Sequence, residues 1–210
     1  MIPLPRILVI TDRNQVRTAV EDVVRDVCGR AGCGWILFRE RDLQPHDRRS
    51  MGVRLRKITE ECGSKLSVSA DAALAAEIGA EGVHLQKAAD IAHAREKLPD
   101  GWIGVSAHSV LDVLLAKAAG ADYVTLSPIF PSESKPGYGP PLGLESIRDA
   151  AKLGIPILAL GGVTPRSGHA CIEAGAHGFA VMGTVMRAGD PHAVIRDYAA
   201  AFATSSRRAE

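Results

Sequence analysis

The chain has 210 residues, 46% hydrophobic and 23% charged, with a formal net charge of +1. Such a composition buries a sizeable core without disulfides or metal, and the charge argues against a broad nucleic-acid footprint, which needs a clustered excess of Lys and Arg. No apolar run approaches the roughly 18 residues of a membrane span, the first six residues lack a signal-peptide pattern and the four cysteines form no CxxC pair, so a membrane-free, reducing cytoplasmic setting is expected.

Aromatic residues make up only 4%, so Val, Ile, Leu and Ala must fill the interior. The length exceeds the usual prior of about 150 residues per domain but suits one α/β barrel, which occupies roughly 200 to 400. One domain over residues 1–210 is the economical reading, with residues 204–210, small and polar, expected to fray.

In chain order, the first strand is predicted at 7–10, followed by an amphipathic helical segment over about 16–30. Further strands are predicted at 35–39, 66–69, 82–85, 102–106, 123–126, 157–160 and 178–182, each separated from the next by a helix-like stretch. Near-continuous apolar runs such as 155–160 indicate burial on both faces, as in a parallel sheet covered by helices. Three helices end in a small-residue phrase containing Gly79, Gly120 or Gly175, where glycine permits a left-handed cap before the next strand. Eight such units predict a closed (β/α)₈ TIM barrel. An open doubly wound sheet is the rival, yet the first β/α turn, Thr11-Asp12-Arg13-Asn14, lacks the glycines of a dinucleotide fingerprint. The irregular segment 131–141 follows strand six and reads as a mobile lid over the catalytic face.

In a barrel, chemistry belongs at the carboxyl ends of the strands. Strands seven and eight end at Gly161-Gly162 and Gly183-Thr184, and loops after these two strands commonly bind phosphate through backbone amides. Arg39, Glu40 and Arg41 close strand two; two guanidiniums on one face suit a phosphate clamp, while an ion pair of either Arg with Glu40 or Asp12 is the purely structural alternative. In the lid, Lys135 with Ser132 and Ser134 suits an anion. His84 reads equally as a hydrogen-bonded core histidine or a catalytic one. Ser106 and His108, two apart on strand five, point the same way if the strand persists.

Together these segments resemble the thiamin phosphate synthase and thiazole tautomerase (TenI) superfamily from Ile7 to about Phe202. The resemblance is carried by Val9-Ile10-Thr11-Asp12, Phe38-Arg39-Glu40-Arg41, Gly82-Val83-His84-Leu85, Gly104-Val105-Ser106-Ala107-His108-Ser109 and Ala121-Asp122-Tyr123-Val124. The stretch from Ser127 to Lys135, then Pro141-Leu142-Gly143-Leu144 and Leu160-Gly161-Gly162-Val163-Thr164, follow in the family's order. It implies a synthase joining a pyrimidine diphosphate to a thiazole phosphate, with loss of pyrophosphate through a pyrimidine carbocation and Mg²⁺ gripping the diphosphate. The same resemblance puts thiazole phosphate on Gly162 and the strand-eight turn, and turns Ser106, Ser132, Ser134 and Lys135 toward the diphosphate or the thiazole.

This chain departs from the synthase pattern where the metal would sit. Ser69 and Ala70 replace an Asn-Asp pair, Ala89 replaces the second metal Asp, and Leu37 and Arg41 replace a Gln and a Lys. An Arg-Glu-Arg strand two without metal carboxylates resembles the tautomerase branch, which shifts a proton in the thiazole phosphate carboxylate and needs no metal. That branch's histidine, however, falls at Pro128, which leaves His108 or His84 as the shuttle. The sequence-based expectation is therefore an enzyme of thiamin biosynthesis binding a thiazole phosphate, tautomerase-type in preference to synthase, with a non-catalytic phosphate binder as a third reading. No cofactor is expected and no metal ligand is assigned, Mg²⁺ entering only with a substrate diphosphate. The expected partners are small molecules: the phosphorylated thiazole and, in the synthase reading, a pyrimidine diphosphate. Neither nucleic acid nor membrane is expected, and a homo-oligomer is compatible with the sequence.

Overall fold

A computed structural model describes residues 4–131 and 139–203. Its strands are β1 (Ile7–Ile10), β2 (Trp35–Phe38), β3 (Lys65–Ser69), β4 (Gly82–Leu85), β5 (Trp102–Ala107), β6 (Tyr123–Leu126), β7 (Ile157–Ala159) and β8 (Gly178–Val181). All pair in parallel in sequence order, and β8 returns to β1 with Val181 opposite Val9, closing the barrel. The intervening helices are α1 (Val20–Arg25), α2 (Pro45–Glu61), α3 (Ala72–Glu77), α4 (Ile91–Lys97), α5 (Val110–Ala118), α6 (Gly143–Ala151), α7 (Pro165–Glu173), the single turn α8 (Gly183–Met186) and α9 (Pro191–Ala203). The expected (β/α)₈ barrel is the fold. None of the described helices is long and apolar enough to cross a membrane.

The period-2 geometry of a strand explains why these short apolar runs are buried throughout. Leu8, Ile10, Trp35, Leu37, Leu158 and Ala180 point into the barrel, whereas their neighbours Ile7, Val9, Ile36, Phe38, Ile157 and Phe179 pack outward against the helices. The amino end of the barrel is plugged by aromatic side chains. Trp35 meets Trp102 edge-on at 5.3 Å and Tyr123 at 4.7 Å between ring centroids. Gly104 on β5 makes room for this plug, since a Cβ there would lie 2.0 Å from Tyr123 Cζ. Among the described residues, only the carboxyl end is left open. At the helix ends, Gly79, Gly120 and Gly175 adopt the expected positive φ, at 69°, 93° and 103°.

Several boundaries differ from the sequence-based reading, with local causes. The segment expected as one helix over 16–30 is α1 followed by a π-helical turn, Asp26–Arg30. The wider turn buries Val27 and Cys28 together, and the Val27 carbonyl accepts from the Cys33 N–H at 2.9 Å. Ahead of α1, Asp12 accepts from the Asn14 N–H at 3.1 Å and the Gln15 amide at 2.7 Å, holding the chain in a turn. β2 ends at Phe38 because the Arg39 N–H donates to Thr11 Oγ1 at 3.0 Å rather than to the ladder. Strand alternation therefore does not govern Arg39 and Arg41, contrary to the premise that placed them on one face.

Candidate active site

The open end of the barrel holds a cavity of about 680 Å³, within the range of small-molecule sites. Its apolar floor comes from inward strand residues, including Ile10, Leu37, Leu160 and Ala180. Arg39, Arg41, Lys87, His108 and Arg187 stand around it, and no Asp or Glu is among the described residues that line it. The cavity is therefore positive at its mouth and apolar at its base.

On the β7–β8 side, Gly161, Gly162, Gly183 and Thr184 converge on this one cavity, as expected for an anion pocket. The two glycines also answer a packing demand. Gly161 and Gly162 have φ of 86° and 65°. A Cβ on the first would lie 2.9 Å from Pro128 Cα, and one on the second 2.3 Å from the Pro131 carbonyl oxygen. The segment entering the expected lid is laid across them, with the Ile129 N–H donating to the Leu160 carbonyl and the Phe130 N–H to the Gly161 carbonyl. Behind this turn, Thr164 and Ser167 form a reciprocal capping box at the start of α7, and Tyr198 of α9 donates to the Val163 carbonyl at 2.8 Å. The glycine turn that lines this side of the cavity is thus braced by its neighbours.

The β2 side is built from side chains. Arg39 pairs with Asp12 at 2.9 Å, so the ion pair weighed as the structural alternative is present, yet Arg39 also lines the cavity. Glu40 is buried and accepts from the Arg13 backbone N–H at 3.0 Å and its guanidinium at 3.2 Å. Arg13 in turn clamps Asp42 at 2.6 and 2.8 Å, which raises the pKa of Arg13 and lowers that of Asp42 to about 2. Arg41 lines the cavity without a hydrogen bond or ion pair to the described residues. At the end of β3, Asp71 caps α3 by accepting from the Leu74 N–H and pairs with Arg48 at 2.8 Å.

The cavity floor carries a buried chain of polar groups. His84 Nδ1 lies 3.1 Å from Tyr123 Oη, and its Nε2 lies 3.1 Å from Ser106 Oγ and 3.2 Å from Thr125 Oγ1. With both nitrogens occupied, burial pushes the imidazole pKa down to about 4, so it is neutral at pH 7. That geometry suits a group that orients Ser106 better than one that gives and takes protons near neutrality. His108, exposed at the mouth, has Nδ1 2.8 Å from the Ser127 carbonyl. A carbonyl only accepts, so Nδ1 carries the proton.

Ser132, Ser134 and Lys135 lie outside the described residues. The sequence reading passed over Lys87 and Arg187. Lys87 follows Gln86 directly after β4, a position that marks the mouth in any barrel, but a lone Lys in a polar stretch carries no pattern. Arg187 follows α8 and hydrogen-bonds Gln15 across the mouth.

Residues 7–185 match a family described as thiamine monophosphate synthase. The thiamine-phosphate synthase of Geobacillus thermodenitrificans (strain NG80-2) is 35% identical over 207 residues, covering 96% of this chain and 91% of its own. That of Methanoculleus marisnigri (strain ATCC 35101 / DSM 1498 / JR1) is 35% identical over 191 residues, with 90% of each chain covered. Among solved structures, a thiamine phosphate pyrophosphorylase from Pyrococcus furiosus aligns with a TM-score of 0.84 at 27% identity, covering 95% of this chain and 96% of that one.

Proposed function

This chain belongs to the thiamine monophosphate synthase family, and we propose that it is a transferase of thiamine biosynthesis, joining hydroxymethylpyrimidine diphosphate to a thiazole phosphate with release of pyrophosphate. The observation that carries this reading is one cavity with anion-receptive groups on two sides, backbone amides at β7–β8 and cationic side chains at β2–β4, and no carboxylate among its described lining residues. A thiazole phosphate fits the first side and a diphosphate the second. The names of the relatives support the synthase over the tautomerase that the sequence alone favours.

In this reading the bond between the pyrimidine methylene and the diphosphate oxygen breaks, and both electrons leave with pyrophosphate. Arg39 and Arg41 neutralise the departing charge, which is where electrostatic stabilisation does most. The thiazole nitrogen lone pair then captures the methylene cation, forming the new C–N bond. Gly162, Gly183 and Thr184 hold the thiazole phosphate in place for that attack, and the apolar floor of Ile10, Leu37 and Leu160 keeps water from competing. Ser106, oriented by His84, offers the cavity a hydroxyl.

The residues at the ends of β3 and β4 do not fit the magnesium site that the family resemblance implies. Ala70 and Ala89 supply no side-chain oxygen, and Asp71 is committed to Leu74 and Arg48.

A second reading, the metal-free proton shift of a thiazole tautomerase, is favoured by His108, whose imidazole stands at the cavity mouth with its tautomer set by Ser127. Turnover with both synthase substrates, with and without Mg²⁺, beside a thiazole-isomer assay tests the proposal. Pyrophosphate release that needs both substrates is the expected result. Isomer conversion alone would transfer the function to the second reading, and no turnover in either assay would overturn both.

A further inference from the structure

The β2–β4 side of the cavity holds two cationic side chains that the described residues leave uncommitted. Most charged groups near the mouth are already paired: Arg39 with Asp12, Arg13 with Glu40 and Asp42, Arg48 with Asp71. Arg41 and Lys87 are exposed and line the cavity, and their side chains make no hydrogen bond or ion pair with the described residues. Arg48, itself paired with Asp71, has its pKa lowered chiefly by burial and further by the like charge of Arg41. Two positive groups held over one cavity, with a third close by, repel one another unless an anion joins them.

The donor chemistry there is the opposite of what a hard divalent cation needs. Magnesium takes oxygen ligands, and the carboxylates after β1 and β3 are spent, while Asp90, beyond β4, does not line the cavity. Asp12 accepts from Arg39, the Asn14 N–H and the Gln15 amide, while Asp71 accepts from the Leu74 N–H and Arg48. Ala70 makes the substitution visible in the backbone. It has φ of 59°, the one non-glycine residue with positive φ among those described, and its N–H donates to the His84 carbonyl at 2.8 Å. That conformation suits Asn or Asp far better than Ala. The turn thus keeps a backbone shape suited to Asp while presenting a methyl group.

We propose that the β2–β4 side of this cavity is a metal-independent diphosphate site in which the Lys87 ammonium and the Arg41 guanidinium carry the charge that a divalent cation would otherwise supply. An ammonium on a four-carbon stem acts as a mobile point charge, and a guanidinium adds a bidentate fork, so together they cover two phosphoryl groups. Mg²⁺ then works against binding: it chelates diphosphate in solution and offers the two side chains a less charged ligand. This inference rests on the reading of the cavity as a site for phosphorylated substrates.

The test is calorimetric titration of the full chain with inorganic pyrophosphate, in EDTA and in excess Mg²⁺, beside a titration with inorganic phosphate. Binding in EDTA that Mg²⁺ leaves unchanged or weakens is expected. Lys87→Ala and Lys87→Gln should each lower pyrophosphate affinity about tenfold, as for one lost charge-assisted contact, and leave phosphate affinity at the glycine turns unaltered. Circular dichroism confirms that these exposed-site variants remain folded. A tenfold or greater gain in affinity with Mg²⁺, or Lys87 variants that bind pyrophosphate like the parent, would overturn the proposal. Phosphate binding without any pyrophosphate binding would overturn it alone, whereas loss of both would also remove the phosphorylated-substrate reading beneath it.

Discussion

The two sides of the cavity mouth solve one problem by different means. At β7–β8 the proposed anion-receptive groups belong to the main chain, wedged against Pro128 and Pro131, capped through Thr164 and Ser167, and braced by Tyr198. At β2–β4 they are long side chains, one tied to Asp12 and two without a side-chain partner among the described residues. A main-chain site can be altered only by deforming the fold, whereas a side-chain site changes with single substitutions. The β2–β4 side is accordingly where this chain departs from the family pattern it resembles, at Leu37, Arg41, Ala70 and Ala89.

The largest effect should come from attacking the rigid side. Gly162→Ala forces a side chain into φ of 65° and against the Pro131 carbonyl. The left-handed conformation costs roughly 1–2 kcal/mol and the overpacking about 1–3 more, so stability should fall by about 2–5 kcal/mol, read as a lower urea midpoint. Phosphate affinity should fall with it. A variant with unchanged midpoint and weakened phosphate binding would show that the packing role is secondary.

The floor beneath both sides should respond to acid. His84 is pushed from 6.5 down to about 4, so between those values the unfolded chain takes up a proton that the native state refuses. Stability should therefore decline as pH falls from 6.5 to 4, by up to about 1.4 kcal/mol per unit and about 3 kcal/mol in all, with no further loss from this group below 4. Melting temperature against pH measures it, and His84→Gln should flatten that slope. An equal slope in the variant would assign the acid sensitivity elsewhere.

Arg39→Met sharpens the comparison, because this residue belongs to both the rim and the ligand side. Its pairing with Asp12, the side chains 32% and 11% exposed, predicts a stability loss of about 1–2 kcal/mol. Its place on the cavity predicts a roughly tenfold loss of pyrophosphate affinity, since a charge-assisted hydrogen bond contributes about 1.5 kcal/mol or more. Denaturation with unaltered pyrophosphate binding would make it a rim residue only.

The smallest effect is expected at Ala70. Ala70→Gly relieves the left-handed strain of roughly 1–2 kcal/mol and gives back about 0.5–1 in chain entropy, a net gain near or below about 1 kcal/mol. A stability loss would show that the methyl group packs usefully at the end of β3.

Much of this was legible in the sequence. Eight near-continuous apolar runs, each followed by a helix-like stretch, and glycine at recurring helix ends determined the barrel, because burial on two faces and the left-handed cap are local requirements. The glycines after strands seven and eight marked the backbone pocket for the same reason. What distant residues do to one another was decided only by the tertiary structure. The pairing of Arg39 with Asp12 and the occupation of both nitrogens of His84 by Tyr123, Ser106 and Thr125 depend on strands far apart in the chain closing into one ring. So does the place of Lys87 on the cavity, where its side chain meets no counter-charge among the described residues.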